Sequence, residues 1–271
     1  MTDKCVECEF RKPVVGVYAL TSCYGCQLMI ATVDKILEIA GAVDFGSFHM
    51  ISSASRHGKV DIAFVEGSVS TEKDLIELQQ IREDATVLIA IGACSVNGGI
   101  QSWSEGQKDY PTLYKSVYGD EKVSYEGLQA KPIDHYVKVD HYLPGCPPEA
   151  REIIYFLSTF LFGTWPERKE RPVCHECRLA GNPCLIIEKG QPCLGAVTAS
   201  GCGALCIGFK VPCIGCRGPT PNQTASYDSL AKHFKGLGMT KKDILDRFAM
   251  FGSHDPRMRD LVDEAFGGDP A

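Results

Sequence analysis

The sequence lacks the features that mark membrane, secreted or nucleic-acid-binding proteins. The apolar stretch 153–162 is too short to cross a bilayer. Residues 1–13 contain neither an apolar signal core nor a twin-arginine pair. Acidic residues outnumber lysine and arginine by 34 to 28, so the net charge of −6 offers no electrostatic support for binding nucleic acid. We therefore expect a cytoplasmic protein.

Motifs for nucleotide binding are also missing. The sequence has no Walker motif and no G-x-G-x-x-G that follows a predicted strand. Seven histidines are present, but none stands at metal-ligand spacing from another. A bound nucleotide or a histidine-based metal site is therefore not expected in this chain.

Cysteine, in contrast, is abundant, with 14 among 271 residues. Disulfides are rare in reducing compartments. Twelve of the cysteines fall into short-spaced groups beside glycine and proline, which buried structural cysteines have no reason to do. This pattern favours metal or iron–sulfur ligation. Cys5 and Cys8 form a separate Cys-x-x-Cys pair outside these groups and are interpreted as unconnected thiols.

Strand-like and helix-like patterns alternate over the first 165 residues. The predicted strands are 14–20, 60–65, 87–91 and, more weakly, 136–139. The predicted helices are 27–40, 71–82 and 149–162. Thr71 and Asp74 have the spacing of a capping box. Such alternation predicts an α/β fold with an open parallel sheet.

The chain beyond this region has a different character. The polar segment 163–172 is read as a boundary, which divides the chain into an extension (1–13), a sheet domain (14–165) and a C-terminal domain (166–271). Within the last, the cysteine-rich block 173–220 holds eight cysteines and no periodic element. Metal ligation can supply folding energy where an apolar core is absent. The tail 226–266 predicts amphipathic packing helices.

Four cysteines follow predicted strands of the sheet. Cys23 and Cys26 follow the first strand, Cys94 follows 87–91, and Cys146 follows the weak strand. The carboxyl ends of parallel strands face one crevice, so the four thiolates can enclose one iron–sulfur cube. A redox-active Cys-x-x-Cys or a zinc ion stays open as an alternative. Glu66, at the end of another strand, is interpreted as a solvated carboxylate.

The remaining eight cysteines divide into two quartets. The first is Cys174, Cys177, Cys184 and Cys193. The second is Cys202, Cys206, Cys213 and Cys216. Two zinc ribbons are an alternative to two cubes, and His175 is an alternative ligand to Cys174.

Together these motifs resemble the small subunits of [NiFe]-hydrogenases. The resemblance lies in TSCYGCQ at 21–27, GACSVNGGI at 92–100, PGCPP at 144–148 and the cysteine-rich block. Phrases such as VEGSVST and CHECRLAGNPC are similar to the delta subunits of cytosolic NAD(P)-linked hydrogenases, also called sulfhydrogenases.

The resemblance implies a flavodoxin-like domain, an irregular Fe–S domain with C-terminal helices, and three [4Fe–4S] clusters. The proximal cluster is expected on Cys23, Cys26, Cys94 and Cys146, the distal cluster on the first C-terminal quartet and the medial cluster on the second. The NiFe centre is expected on a large subunit, and flavin and NAD(P) on Fe–S-containing diaphorase-type subunits. This chain then transfers electrons and supplies no catalytic residue.

Two departures from the respiratory members qualify this expectation. Cys174 and Cys206 stand where those members have histidine and proline, which implies all-cysteine ligation. Ser22 replaces an acidic residue, so no proton-relay role is assigned there. Alternatives are a hydrogenase subunit feeding heterodisulfide reductase or a deazaflavin reductase, a complex-I-like subunit, and a zinc-stabilised interaction module.

Overall fold

The computed structural model describes residues 11–53, 58–106, 110–119, 127–167, 171–220 and 227–252, together with 260, 263, 264 and 266. Cys5 and Cys8 lie outside these residues. Over the described residues, the helices are too short or too polar to cross a membrane.

A parallel sheet of five strands organises the N-terminal part of the chain. Its strands are β1 (Val14–Ala19), β2 (Asp44–Phe48), β3 (Val60–Glu66), β5 (Ala85–Ile91) and β7 (His141–Leu143). Their order is β2-β1-β3-β5-β7 with every pair parallel, which is the flavodoxin-like strand order. A separate antiparallel pair joins β4 (Val69–Thr71) to β6 (Gly127–Lys131). The predicted open parallel sheet is confirmed.

Helices connect the strands. They are α1 (Gly25–Ala31), α2 (Ile36–Ala42), α3 (Glu72–Asp84), α4 (Gly92–Asn97), α5 (Tyr110–Tyr118) and α6 (Ala150–Leu161), with 3-10 segments at Ile100–Gly106 and Ile133–His135. The capping box that opens α3 is confirmed, because Thr71 Oγ1 accepts from the Asp74 amide and Asp74 Oδ2 accepts from the Thr71 amide.

Two of the predicted elements are wrong in detail. The single helix expected over 27–40 is two short helices, because the first ends at Thr32, whose hydroxyl donates to the Leu28 carbonyl. The weak strand expected at 136–139 is not a strand; the last strand is β7 instead. Asp140, which directly precedes β7, fixes the register of β7 against β5. Its amide donates to the Leu88 carbonyl, and its carboxylate accepts from the Leu88 amide at 2.9 Å.

Both faces of the sheet are covered by apolar side chains. On one face Val17, Phe64 and Ile89 pack against α1 and α6, including Phe156. The other face packs against α3, including Leu78. Burial on both faces explains why the central strands are continuous apolar runs rather than alternating ones.

The C-terminal part contains only short helices among its described residues. Three lie in the cysteine-rich block: α7 (Val173–Leu179), α8 (Leu185–Lys189) and α9 (Leu205–Gly208). The tail forms α10 (Tyr227–Gly236) and α11 (Lys241–Gly252), as predicted. Phe234, Ile244 and Phe248 from these helices join Cys177, Cys193 and Cys213 in one apolar cluster. The tail and the cysteine-rich block therefore share one apolar core.

Candidate functional site

Four cysteines meet at the carboxyl end of the sheet. Cys23 lies between β1 and α1, Cys26 is in the first turn of α1, Cys94 is in the first turn of α4, and Cys146 follows β7. Burial, followed by the nearby charges of Glu66, Cys94, Cys146 and Cys23, raises the pKa of Cys26 well above its usual value. All four predicted proximal ligands are therefore close enough to interact, although they come from three separate loops.

Two glycines leave room beside these thiols. Gly92 has a φ of +85°, and a Cβ atom there would lie 2.2 Å from Cys26 Sγ. Gly99 has a φ of +71°, and its Cβ would lie 2.7 Å from Cys94 Sγ. Both positions require glycine for two reasons. Their φ values are positive, and a side chain would collide with the neighbouring sulfur atom. Backbone without a side chain thus approaches Cys26 at Gly92 and Cys94 at Gly99.

Glu66 is part of this crevice and not a solvated residue, which corrects the interpretation from sequence. It is 1% exposed, and its Oε2 accepts from the Gln27 amide at 2.6 Å. Burial raises its pKa, and the hydrogen bond from the Gln27 amide opposes the rise. The carboxylate therefore supports the first turn of α1, which carries Cys26.

The first C-terminal quartet gathers around α7. Cys174 and Cys177 lie on this helix, Cys184 caps α8, and Cys193 is buried. Burial raises the pKa of Cys174 to about 11, with the charges of Cys193, Cys177 and Cys184 adding to the effect. These four thiols are thus neighbours, as the sequence predicted. The alternative ligand His175 is engaged otherwise, because its Nε2 accepts from Arg171 Nη1 at 2.8 Å.

The second quartet lines a cavity. The cavity has a volume of about 380 Å³, and Cys202, Cys206, Cys213 and Cys216 all contribute to its wall. Burial raises the pKa of Cys213 to about 12, and burial also raises the pKa of Cys216. Cys146 of the first site lines the same cavity, so the second quartet adjoins the sheet.

Neighbouring groups of cysteines adjoin one another. Cys146 and Cys216 line the wall of one cavity. The amide of Cys213 donates to the sulfur of Cys193 at 3.2 Å. The three groups therefore form a row, with Cys202, Cys206, Cys213 and Cys216 in the middle.

The chemistry of these groups fits iron–sulfur clusters. Buried thiols with raised pKa values retain their protons unless a cation compensates the thiolate. In the described residues, no three histidine, cysteine or carboxylate side chains converge tightly enough for a single metal ion. A cube offers its four ligands four different iron atoms, so it suits four separate thiolates that line one crevice.

Sequence reasoning missed the polar residues that support the row. Arg217, 4% exposed, pairs with Glu152 of α6. Glu176, between Cys174 and Cys177, accepts from the amides of Gly201 and Gly203, each at 2.9 Å. Arg217 and Glu176 lie in the aperiodic block, where no spacing rule distinguishes a buried charge from a surface one.

Comparisons with known proteins agree with this arrangement. Residues 23–160 match the family described as NADH ubiquinone oxidoreductase, 20 Kd subunit. The sulfhydrogenase 2 subunit delta of Pyrococcus furiosus is 40% identical over 232 residues, which cover 85% of this chain and 93% of that relative. One subunit of the F420-non-reducing hydrogenase of Methanococcus voltae is 29% identical over 268 residues, 88% of this chain and 93% of that relative.

A solved structure is similar as well. A chain in the crystal structure of an NAD+-reducing [NiFe]-hydrogenase in the H2-reduced state superposes with a TM-score of 0.51 and 31% identity. The match covers 58% of this chain and 95% of that chain.

Proposed function

The chain belongs to the small subunits of [NiFe]-hydrogenases, and from this membership we propose that it carries electrons through three [4Fe–4S] clusters between a large subunit and a redox partner. As a member of this family it is a subunit of an oxidoreductase. The proposal adds the number of clusters, their ligands and the acceptor.

The row of three cysteine quartets carries the proposal. Cys23, Cys26, Cys94 and Cys146 would hold the proximal cluster at the sheet edge. The quartet of Cys202, Cys206, Cys213 and Cys216 would hold the medial cluster. The quartet of Cys174, Cys177, Cys184 and Cys193 would hold the distal cluster. When bound, such clusters supply one-electron redox chemistry, which zinc cannot.

The chain itself supplies insulation and spacing. Buried apolar side chains surround Cys177, Cys193 and Cys213 and shield these three sulfur atoms from water. The amide of Cys213 donates a hydrogen bond to the sulfur of Cys193 and so links the two C-terminal quartets. Hydrogen bonds to sulfur and low solvent exposure are the means by which a protein sets cluster potentials.

The two ends of the row face outward and would meet the partners. Cys23 and Cys146 are exposed at the first end, where Tyr24 and Leu28 also present apolar surface. We assign this end to the NiFe-bearing large subunit. At the other end Cys174 lines an open groove with Arg171, Pro172, His175, Arg178 and Leu179. We assign that end to a flavin- and Fe–S-containing diaphorase-type subunit that reacts with NAD(P), with the whole assembly in the cytoplasm.

Iron and sulfide analysis of the purified complex tests the proposal. Three cubes require about twelve irons and as many sulfides on this chain. Low-temperature EPR after reduction with hydrogen should then show three interacting clusters without a three-iron signal. A complex that is correctly assembled but contains zinc instead of iron on this chain would contradict the proposal.

A second candidate for the acceptor follows from the similarity to the F420-non-reducing hydrogenase of Methanococcus voltae. In that case the small subunit feeds heterodisulfide reductase rather than a diaphorase, whereas a relative that does not reduce F420, a deazaflavin, gives no support to a deazaflavin reductase as the acceptor. Proteins that copurify with the native complex distinguish the two, because a diaphorase carries flavin and reduces NAD(P). The zinc-stabilised interaction module is not retained, since the chain belongs to an oxidoreductase family.

A further inference from the structure

Arg217 is the most extensively bonded buried charge in the described residues. Its Nη1 and Nη2 donate to the two carboxylate oxygens of Glu152 at 2.8 and 3.0 Å. Nη1 also donates to the Pro144 carbonyl at 2.8 Å. Its Nε donates to the carbonyls of Ala199 and Ser200 at 3.1 and 2.9 Å. One side chain thus binds the sheet region and the cysteine-rich block simultaneously.

These contacts fall on the loops that carry cluster cysteines. Arg217 is adjacent to Cys216, Pro144 is two residues before Cys146, and Ser200 is two residues before Cys202. Cys146, Cys216 and Arg217 line one cavity at the same junction. The guanidinium therefore fixes the place where the proposed proximal quartet, which includes Cys146, meets the proposed medial quartet, which includes Cys202 and Cys216.

Gly201 shows how closely the junction is packed. A Cβ atom at this position would lie 2.1 Å from Arg217 Nη2 and 2.2 Å from Glu152 Oε1. Its φ of +132° also favours glycine. The backbone just before Cys202 thus lies directly against the ion pair, with no space for adjustment.

We propose that Arg217 and Glu152 are positioning residues that set the spacing between the proximal and medial clusters. This inference rests on the proposed function, because it requires clusters in both quartets. A buried ion pair contributes little net stability compared with apolar packing. Its geometry is specific, however, because the planar guanidinium directs donors to the carboxylate and to three carbonyls at fixed angles. Lysine would keep the charge but could not maintain this set of contacts.

The test uses the hydrogenase complex with Arg217→Lys and Glu152→Gln. EPR of the fully reduced complex measures the magnetic interaction between the proximal and medial clusters. We expect both variants to retain iron and the individual cluster signals, while the interaction is lost or broadened in Arg217→Lys and weakened in Glu152→Gln. Arg82→Lys is the matched control, since it disturbs another partly buried pair, with Asp140 at 2.7 Å, within the sheet region.

Each result decides the question. Wild-type interaction in both variants, with thermal destabilisation like that of Arg82→Lys, would show that Arg217 serves stability alone and would overturn the inference. Arg217→Lys could fail to assemble. In that case the EPR interaction measured in Glu152→Gln decides whether the ion pair sets the cluster spacing, because this variant retains Arg217 and its three carbonyl contacts. A wild-type complex without iron on this chain would instead refute the proposed function, so the two failures remain distinguishable.

Discussion

Replacing Gly92 by alanine should remove the proximal cluster while leaving the fold in place. The added Cβ would lie 2.2 Å from Cys26 Sγ, whereas ordinary contact begins at 3.4 Å. The sulfur would have to move by about 1.2 Å, the difference between these two distances. Metal–ligand distances tolerate only about 0.2 Å. Cys26 can therefore not remain a ligand unless the whole turn rearranges.

A control variant, Gly238→Ala, measures how much stability is lost when a glycine in the left-handed backbone conformation becomes alanine. A residue with a side chain in the left-handed region costs about 1–2 kcal/mol relative to glycine. Gly238 has a φ of +86°, nearly that of Gly92, and a Cβ there would meet nothing within 4 Å. Gly238→Ala should therefore lose similar stability through its backbone but keep all its iron. The difference between the two variants isolates the contact with sulfur.

Iron analysis and EPR provide the measurement. We expect Gly92→Ala to lose about four of about twelve irons and the proximal signal, with the medial and distal signals unchanged. Full iron content and an intact proximal signal in Gly92→Ala would refute the assignment of Cys26 as a ligand beside Gly92.

Three further predictions concern stability. Thr71→Ala removes the N-cap of α3 and should lower the free energy of unfolding by about 1 kcal/mol, measured by denaturant titration, without a change in iron content. The pKa of Asp140 is lowered overall, because hydrogen bonds from the Leu88 amide and Arg82 outweigh the opposing effect of burial. This carboxylate therefore adds stability above its unfolded pKa of about 3.9, and the stability is lost as pH falls through the lower folded value. Asp140→Asn should accordingly flatten the acid side of the stability profile, and an unchanged slope would contradict it. Removal of iron by a chelator should expose residues 173–220 to hydrogen exchange before the central strands, because ligation stabilises that block.

The sheet could be predicted from sequence because its strands are buried on both faces. Val60–Glu66 and Ala85–Ile91 are nearly uninterrupted apolar runs, and such runs are recognisable without knowledge of their neighbours. β2 and β7 escaped because they lie at the edges of the sheet and are short or polar. Their strand conformation depends on pairing with β1 and β5, which a local pattern does not contain.

The cysteines could be predicted from sequence because ligand spacing is local, whereas their supporting residues could not. Cys23 and Cys26 form a recognisable pair, and the sheet order explains how Cys94 and Cys146 reach them. Glu66 reads as a surface residue at a strand end until the turn after β1 is seen to fold over it. Interactions that span more than 60 residues, such as Arg217 with Glu152, leave no periodic trace.

The extent of the family match suggests how the electron path is built. The matched residues 23–160 contain four of the five strands of the parallel sheet and all four proposed proximal ligands, whereas the eight other proposed ligands lie beyond them. The cysteine-rich block therefore has to join the sheet region, while apolar side chains of its own such as Val173, Leu194 and Ile207 are buried in one cluster with the tail helices. Arg217 binds backbone carbonyls on both sides and a carboxylate on α6, so polar contacts of defined geometry hold this junction. Such a junction can be rigid where electrons cross without requiring a larger core.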